Sequence, residues 1–259
     1  MNKKYWNSLA GTYESQVFDV LGHDRRNLIQ DQMDELGSPE KTVSDLGCGI
    51  GHFLPMLSER FERVFAVDLA GECLDRAKES CRKLDNVDYA SVDLSKPGAD
   101  LPRADVTLCV NSLMTPSLAK RLAFIQNVSD QLRTGGRLVL VVPSLESALL
   151  TDHRLVEWHL REGMSPAEAL RAAHDLGKVP GAGRLRQGIL YTGGTLTKHY
   201  LQEELTAMLG MHSHQVRRIL KLEYPWSTEF ESPPRWLKAP FPWDWLVVAE
   251  KGGKGPPKS

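Results

Sequence analysis

Short apolar runs alternate with helical stretches through the first 145 residues of this chain, and this alternation constrains the fold more than any other feature. The runs at 106–110 (Val-Thr-Leu-Cys-Val) and 138–142 (Leu-Val-Leu-Val-Val) are nearly continuously apolar, which is typical of strands buried on both faces. Strands joined through helices need crossover connections, and crossovers make neighbouring strands parallel. The pattern therefore predicts an α/β fold with a doubly wound, seven-stranded, mostly parallel sheet.

The apolar runs and turn residues place the individual elements. Strands are expected at 42–46, 63–69, 87–91, 105–110, 137–142, 216–223 and 245–250, with a further extended segment at 184–197 that turns at 193–194. Helices are expected at 52–61, 71–83, 116–133, 147–162 and 201–209. Gly135 and Gly136 are predicted to end the helix that precedes them. Ser165 and Glu168, with Pro166 between them, form the pattern of a capping box and predict one more helix start.

Charge balance and cysteine content disfavour several classes of protein. Lys and Arg number 32 and Asp and Glu 33, so the net charge of −1 argues against a dedicated nucleic-acid binder. No apolar run approaches the roughly 18–20 residues of a membrane span, and we expect no signal peptide. The four cysteines are widely spaced without a zinc-binding pattern, and we expect reduced thiols in a cytoplasmic protein. Metal, membrane and nucleic acid are therefore not expected as partners, and the oligomeric state stays open.

The most informative segment is 43–53, Val-Ser-Asp-Leu-Gly-Cys-Gly-Ile-Gly-His-Phe. A buried strand is expected to end in Asp45, with glycines at 47, 49 and 51 before a helix. Glycines let a backbone turn sharply and approach a ligand, and a helix N-terminus favours an anionic group. A dinucleotide fingerprint needs its third glycine at the sixth position, where this chain has His52. The spacing disfavours an NAD-dependent oxidoreductase, which stays an alternative on a similar fold.

The pattern Asp-x-Gly-x-Gly-x-Gly of residues 45–51 resembles that of the class I S-adenosylmethionine-dependent methyltransferases, and the resemblance extends over 40–145. Asp68 ends the second expected strand and Asp93 follows the third, where this family has cofactor-binding acids. The final strand at 245–249 is placed like the family's antiparallel seventh strand. The resemblance implies a Rossmann-like fold, S-adenosyl-L-methionine as cofactor, and methyl transfer as activity.

The resemblance also assigns residues to parts of this cofactor. It places Gly47, Cys48 and Gly49 at the methionine part, Asp68 and Leu69 at the ribose and adenine, and Val92, Asp93 and Leu94 at the base. Asp45 is a further cofactor-binding residue by the same resemblance. Asn111 would lie at the end of the fourth strand, on the floor between cofactor and substrate. Tyr13 would lie on a leading helix that crosses the cofactor. For Tyr5 and Trp6 of that helix, packing of the aromatic rings onto the sheet is an equal alternative.

Composition and resemblance together divide the chain into five segments. These are an N-terminal helical lid segment (1–36), a cofactor-binding α/β core (37–144), a helical insertion after the fifth strand that caps the substrate (145–196), the end of the α/β core (197–250) and a disordered tail (251–259). The insertion follows the carboxyl end of a strand, where ligands bind in open α/β sheets. It is therefore expected to close over the substrate.

Methyl transfer from a sulfonium is an in-line displacement that needs mainly a well-positioned nucleophile, with a general base only if the nucleophile must lose a proton. The candidates for this base are His199 and Tyr200, which are expected to begin the last helix. A cation such as Lys198 at a helix N-terminus opposes the helix dipole, and local conflicts of this kind often mark functional sites. The alternative is that Lys198 and His199 simply face solvent.

The segment 224–245 holds four of the six tryptophans, interleaved with prolines. Rigid aromatic side chains could wall a substrate pocket, but a rigid connection that caps the sheet edge is the favoured interpretation. The Asn/Asp-Pro-Pro-aromatic motif of enzymes that methylate nucleic-acid bases is absent after the fourth strand. We therefore expect a small-molecule acceptor. A non-catalytic S-adenosylmethionine-binding partner protein is the other alternative, because a fold does not establish activity.

Overall fold

The computed structural model describes residues 3–175 and 181–253. In chain order its elements are α1 (Lys3–Leu9), a 3-10 turn (Ala10–Thr12), α2 (Tyr13–Gln16), α3 (Val20–His23), α4 (Leu28–Leu36), β1 (Ser38–Leu46), α5 (Leu54–Ser58), β2 (Phe61–Asp68), α6 (Gly71–Ser80), β3 (Val87–Ser91), β4 (Ala104–Val110), α7 (Leu118–Gln131), β5 (Leu132–Pro143), α8 (Leu145–Arg161), α9 (Pro166–Asp175), α10 (Ala182–Leu185), β6 (Ile189–Thr192), β7 (Thr195–Lys198), α11 (Gln202–Met211), β8 (His214–Glu223), a second 3-10 turn (Trp226–Thr228) and β9 (Trp243–Lys251).

Seven of these strands form one sheet with the order β3-β2-β1-β4-β5-β9-β8. Strands β1 to β5 run parallel to one another, and β9 is antiparallel to both β5 and β8. The predicted fold class is thus confirmed, including the antiparallel last strand. Because β9 is reversed, its first residues lie at the carboxyl edge of the parallel strands, beside the end of β8.

Side chains of the central strands alternate between two buried layers. Val139 and Val141 pack into the layer formed with α4, α5 and α6, whereas Leu138 and Leu140 pack into the layer formed with α7 and α11. All four are at most 1% exposed. This two-sided burial is the reason why the strands are continuously apolar.

Several element boundaries differ from those predicted. Helix α7 ends at Gln131, before the glycines predicted to end it, because Leu132 already pairs with Ala104 in the sheet. Gly135 and Gly136 lie within the irregular first part of β5 instead. The extended segment expected at 184–197 begins with the end of α10, and its hairpin β6–β7 turns at 193–194 as predicted. Helix α5 is only 5 residues long, much shorter than the helix expected at 52–61.

The segment between β5 and α11 is tied back to the carboxyl edge through its last residues. Lys198 donates from its backbone to the Met114 carbonyl at 2.9 Å, and Tyr200 donates to the Pro143 carbonyl at 2.8 Å. The predicted capping box is present, since the Ser165 backbone donates to the Glu168 carboxylate at 2.9 Å and the Glu168 backbone donates to the Ser165 hydroxyl at 3.4 Å. The disordered tail predicted at 251–259 lies mostly outside the described residues. Its predicted start is wrong by one residue, because Lys251 belongs to β9.

Other expectations concern composition. All four cysteines are free and buried. Across 3–175 and 181–253 there is no cluster of His, Cys, Asp or Glu that could hold a metal ion. Within the same described ranges, no helix is long and apolar enough to cross a membrane.

Candidate functional site

A glycine-rich loop leaves the carboxyl end of β1 and defines the centre of the site. Gly47, Gly49 and Gly51 have φ angles of +85°, +54° and +89°, a region that favours glycine. A Cβ atom at Gly47 would collide with the Ser112 side chain, and one at Gly49 would collide with the Tyr13 hydroxyl. The loop therefore needs glycine both for its turns and for the close approach of neighbouring groups.

Asp45 is a buried acid directly below this loop. It is only 1% exposed, and its Oδ2 atom has no hydrogen-bond partner among the residues that the structure describes. Burial, and to a lesser extent the charge of Asp68, raises the pKa of Asp45 to about 8. Strand β1 ends at Leu46, as predicted for the strand at 42–46, and Asp45 is its penultimate residue. A buried carboxylate without a hydrogen-bond partner is suited to a cationic hydrogen-bond donor from a ligand.

Asp68 ends β2 beside the loop, as predicted. Its Oδ2 accepts from the Gly49 backbone at 2.9 Å, and its Oδ1 accepts from the Ala70 backbone at 2.7 Å. Burial raises the pKa of Asp68, although these N–H groups oppose the rise. Each carboxylate oxygen can accept more than one hydrogen bond, so Asp68 keeps capacity for hydroxyl donors.

The turn after β3 carries Asp93. Its Oδ1 accepts from the Ser95 backbone at 3.1 Å and from the Ser95 hydroxyl at 2.6 Å. The Val92 backbone donates to the Asp68 carbonyl at 2.9 Å, which holds this turn next to the end of β2. Burial favours the neutral acid, but the Ser95 hydrogen bonds outweigh it and lower the pKa of Asp93. Leu69 lies half-buried beside this turn.

Two of the predicted cofactor residues bury their side chains in the core instead. Leu94 is 5% exposed and packs in the layer under α7, and Asn127 of α7 donates to its carbonyl at 2.9 Å. Cys48 is 6% exposed and packs in the opposite layer, where burial raises the pKa of its thiol well above the usual value. Both side chains are thus packed inside the core, and the assignment of these residues to the cofactor site stays a prediction.

The N-terminal segment covers the loop. Tyr13 packs against Gly49, and its ring lies edge-on to His52 with 6.1 Å between ring centroids. Burial and the charge of Asp68 raise the pKa of the Tyr13 hydroxyl. Trp6 packs on a small apolar cluster that includes Ile50, which favours the packing alternative for this residue, whereas Tyr5 is 38% exposed. The segment thus places one hydroxyl directly over the glycine loop.

Asn111 follows β4 and belongs to a polar network that the sequence did not reveal. It adopts a left-handed conformation with φ +46°, and its Nδ2 donates to Asp244 Oδ2 at 2.9 Å. The Tyr224 hydroxyl donates to the same oxygen at 2.9 Å. Burial raises the pKa of Asp244 despite both hydrogen bonds. Asp244 and Tyr224 are thus additional candidate site residues, and an isolated Asp in a tryptophan-rich segment was the only sequence signal for them.

The two predicted bases have different surroundings, and neither begins a helix, because α11 starts at Gln202. Tyr200 is fully buried, and its hydroxyl donates to the Leu113 carbonyl at 2.8 Å, which is the environment of a core residue and disfavours the predicted role as a base. His199 is 8% exposed with Nδ1 3.2 Å from the Thr197 carbonyl, and burial lowers its pKa to about 4. Lys198 does not face solvent either, because it donates to Glu204 at 2.6 Å.

The tryptophan-rich segment mainly caps the sheet edge, which favours the interpretation preferred from the sequence. Trp226, Trp243 and Trp245 are at most 7% exposed. The Trp243 backbone donates to the Ser147 hydroxyl of α8 at 2.7 Å. On the outer side, the Arg161 guanidinium lies 4.1 Å from the ring centroid of Trp236. The segment and α8 therefore hold each other in place beside the polar network.

Solved structures with a similar fold are described as methyltransferases or as complexes with SAM. DhpI in a complex with SAM and HEP is 17% identical, with a TM-score of 0.61 over 95% of this chain and 94% of that chain. The N-methyltransferase NodS from Bradyrhizobium japonicum, in complex with S-adenosyl-L-homocysteine, is 12% identical, with a TM-score of 0.58 over 96% and 100%. A methyltransferase from Mesorhizobium loti is 17% identical, with a TM-score of 0.61 over 90% and 100%. At these identities the likeness shows the fold.

The fold and the acidic glycine loop together define a Rossmann-like protein of the methyltransferase type. Residues 43–136, from β1 into β5, match the family model described as a methyltransferase domain. A search of curated proteins gave no match. Residues 43–136 thus match a methyltransferase domain, and this match and the fold both agree with the resemblance inferred from the sequence.

Proposed function

We propose that this protein is an S-adenosylmethionine-dependent methyltransferase that acts on a small-molecule acceptor. The observation that carries the proposal is the combination of a left-handed glycine loop with two acids, Asp45 and Asp68, at the carboxyl edge of the sheet. Both acids have their pKa raised by burial, so the site is short of positive charge. A ligand with a sulfonium and an ammonium group supplies that charge.

The residues present fit this cofactor. Asp45 Oδ2, buried and without a partner in the described part of the chain, would receive the ammonium of the methionine part. Asp68 would accept the ribose hydroxyls with its remaining lone pairs, and Asp93 would accept from the adenine amine. The left-handed turns at Gly47 and Gly49 would let the loop backbone follow the cofactor closely. Tyr13 would close over the loop from the N-terminal segment.

When bound, the cofactor supplies a methyl group that its positive sulfur already activates. The task of the chain is to position the acceptor in line with this methyl group and to exclude water. Asn111 and the network behind it lie at the end of β4, where an acceptor would meet the cofactor site. His199 stays a proposal for the general base: with Nδ1 donating to the Thr197 carbonyl, Nε2 is the nitrogen that can accept a proton.

A small-molecule acceptor is supported by the chain's balanced charge, which offers no basic surplus for nucleic acid. NodS is described as an N-methyltransferase, and DhpI was crystallised with HEP together with SAM, so proteins with this fold accept small ligands. The helical insertion over 145–196 would cap this acceptor, with the N-terminal segment 1–36 as the lid over the cofactor. A cytoplasmic location is part of the same proposal.

Two measurements test the proposal. Calorimetric titration of the purified chain with S-adenosylmethionine and, separately, with NAD should give saturable binding for the first ligand alone. Incubation with S-adenosylmethionine labelled in the methyl group and an extract of small metabolites should then give a labelled product. Binding of NAD in place of S-adenosylmethionine would favour the oxidoreductase alternative. Cofactor binding without any labelled product would favour the non-catalytic alternative.

A further inference from the structure

The hydrogen bonds around Asp244 fix which way the Asn111 amide points. Asp244 Oδ2 receives both the Tyr224 hydroxyl and an Asn111 side-chain nitrogen, each at 2.9 Å. An oxygen that receives two donors presents no hydrogen of its own, so the amide must turn its NH₂ group toward it. The amide oxygen, Asn111 Oδ1, is consequently directed elsewhere. It is buried, and the described residues provide no hydrogen-bond partner for it.

The residue that follows Asn111 contacts the glycine loop. Ser112, the following residue, donates from its hydroxyl to the Val110 carbonyl at 3.1 Å and lies 3.5 Å from the Gly47 carbonyl. A buried acceptor without a donor is unfavourable, and most such groups in native proteins are satisfied by protein, water or ligand. A ligand group that reaches Asn111 Oδ1 would therefore be selected for an N–H or O–H group.

The chemistry of an amide oxygen distinguishes these two donors. An amide oxygen accepts a hydrogen bond but is too weak a base to take the proton. A neutral amine can donate one N–H to it and still attack with its lone pair. A hydroxyl has a single proton, which must be removed as the oxygen attacks, and an amide oxygen cannot remove it. Asn111 by itself therefore favours nitrogen over oxygen as the methylated atom, and methylation of a hydroxyl would depend on the separate base proposed at His199.

Resting on the methyltransferase function proposed above, we propose that the acceptor is a primary or secondary amine whose N–H donates to Asn111 Oδ1, with Asp244 and Tyr224 as positioning residues that hold the amide in this orientation. The nitrogen lone pair forms the new N–C bond, while the S–C bond breaks and its electron pair stays on sulfur. The product nitrogen then carries a surplus proton, which leaves to solvent. The buried Asp244 carboxylate behind the amide favours the positive charge that develops on nitrogen.

Chemical blocking of amines in a mixture of acceptors tests which atom is methylated, even while the acceptor itself is unidentified. A small-metabolite extract is treated with acetic acid succinimidyl ester, which blocks amines, with iodoacetamide, which blocks thiols, or left untreated. Each sample then receives the wild-type chain and S-adenosylmethionine labelled in the methyl group. We expect amine blocking to remove at least nine-tenths of the label incorporated into product and thiol blocking to leave it unchanged. Label that survives amine blocking overturns the proposal.

Variants then test the positioning roles. The acceptor in these assays is the fraction of the metabolite extract that carries the methyl label. Asp244→Asn removes the charge that orients the amide, and Tyr224→Phe removes one donor. Both should raise KM for the acceptor, by about tenfold for Asp244→Asn, while the calorimetric Kd for S-adenosylmethionine stays unchanged. Asn111→Gly keeps the left-handed backbone and should show the largest rise. The exposed Asp100→Asn is the matched control. A fall in kcat alone, with KM unchanged, overturns the positioning roles.

Failure of the proposed function and failure of this inference are distinguishable. If the chain binds S-adenosylmethionine but labels nothing in the untreated extract, the proposed activity is refuted, and the amine assignment falls with it. If the untreated extract is labelled but the product is an ester, ether or thioether by mass spectrometry, the activity stands and the amine assignment is overturned. A labelled methylamine product, together with an unchanged cofactor Kd in the variants, supports both.

Discussion

Replacing Asp45 by Asn should stabilise the ligand-free protein and weaken its binding of S-adenosylmethionine. The cause is the burial of a carboxyl group whose Oδ2 lacks a partner within the described residues. Burial raises its pKa from 3.8 to about 8, so the folded state holds a proton that the unfolded state has already released. Asp45→Asn has no ionisable group at this position, so its folded and unfolded states do not differ in a proton there.

The sign and size follow from proton linkage. Between about pH 4 and pH 8 the folded state binds one proton more than the unfolded state at this residue, so stability falls as pH rises through this range. The slope for one proton is about 1.4 kcal/mol per pH unit. From pH 5 to pH 8 the wild type should therefore lose roughly 4 kcal/mol relative to Asp45→Asn. Subtracting the free energy of unfolding of one protein from that of the other cancels the contributions of all groups that titrate alike in both.

Urea unfolding at pH 5, 6, 7 and 8, followed by circular dichroism, measures this difference. The exposed Asp100→Asn controls for loss of one negative charge and should track the wild type. A free-energy difference between wild type and Asp45→Asn that stays constant over this pH range would refute the reasoning. In calorimetry at pH 8, Asp45→Asn should bind S-adenosylmethionine at least tenfold more weakly, because a charged acceptor for the ammonium is lost. An unchanged Kd would refute the role of Asp45 in the cofactor site.

Four further predictions concern single residues. Asp68→Ala should weaken calorimetric binding of S-adenosylmethionine by about 1.5–3 kcal/mol, the range for hydrogen bonds to a charged group, and an unchanged Kd in a folded variant would contradict the ribose assignment. Gly49→Val should abolish this binding while a thermal transition remains, because its Cβ would collide with Tyr13; normal affinity would mean that the loop does not cradle the ligand. His199→Ala should lower kcat by about 10²–10⁴ with little effect on cofactor affinity if His199 is the general base, and an unaltered kcat would place the base elsewhere. Tyr200→Phe should cost about 1–3 kcal/mol in urea unfolding with kcat unchanged, since its hydroxyl bonds a buried carbonyl, and a large fall in kcat in a folded protein would restore a catalytic role.

Local patterns predict the sheet and the cofactor loop because the information for them is contiguous in the sequence. The apolar runs define the central strands, and the Asp-x-Gly-x-Gly-x-Gly pattern defines the loop after β1. Boundaries fail where a tertiary contact decides them. Gln131 ends α7 because Leu132 pairs with Ala104, and the glycines three residues later have no part in it. Likewise, Tyr200 precedes α11 because its backbone bonds to Pro143, which no helix signal indicates.

The polar network of Asn111, Asp244 and Tyr224 could not be predicted from one sequence. Asn111 and Asp244 are 133 residues apart, and they meet only because β9 is inserted between β5 and β8 with its first residues at the carboxyl edge. The order of the last two strands in the sheet is a property of the whole chain. The sequence does not predict the left-handed conformation of Asn111 either, although Asn adopts it more readily than most residues.

Two sets of acids in this protein differ in the direction in which their pKa is shifted. Acids paired with arginines have their pKa lowered, as hydrogen bonds from Arg218 do for Glu35 and from Arg217 for Glu250. At the carboxyl edge, Asp45, Asp68 and Asp244 have their pKa raised by burial, and no cation appears among the causes of these shifts. A chain selected for stability alone would not keep three such carboxyls together. Their cost is offset when cationic ligands bind, so stabilisation of the wild type by S-adenosylmethionine in thermal unfolding should grow from pH 6 to pH 8 and should be smaller in Asp45→Asn. A ligand-induced rise in Tm that does not depend on pH in either protein would contradict this account.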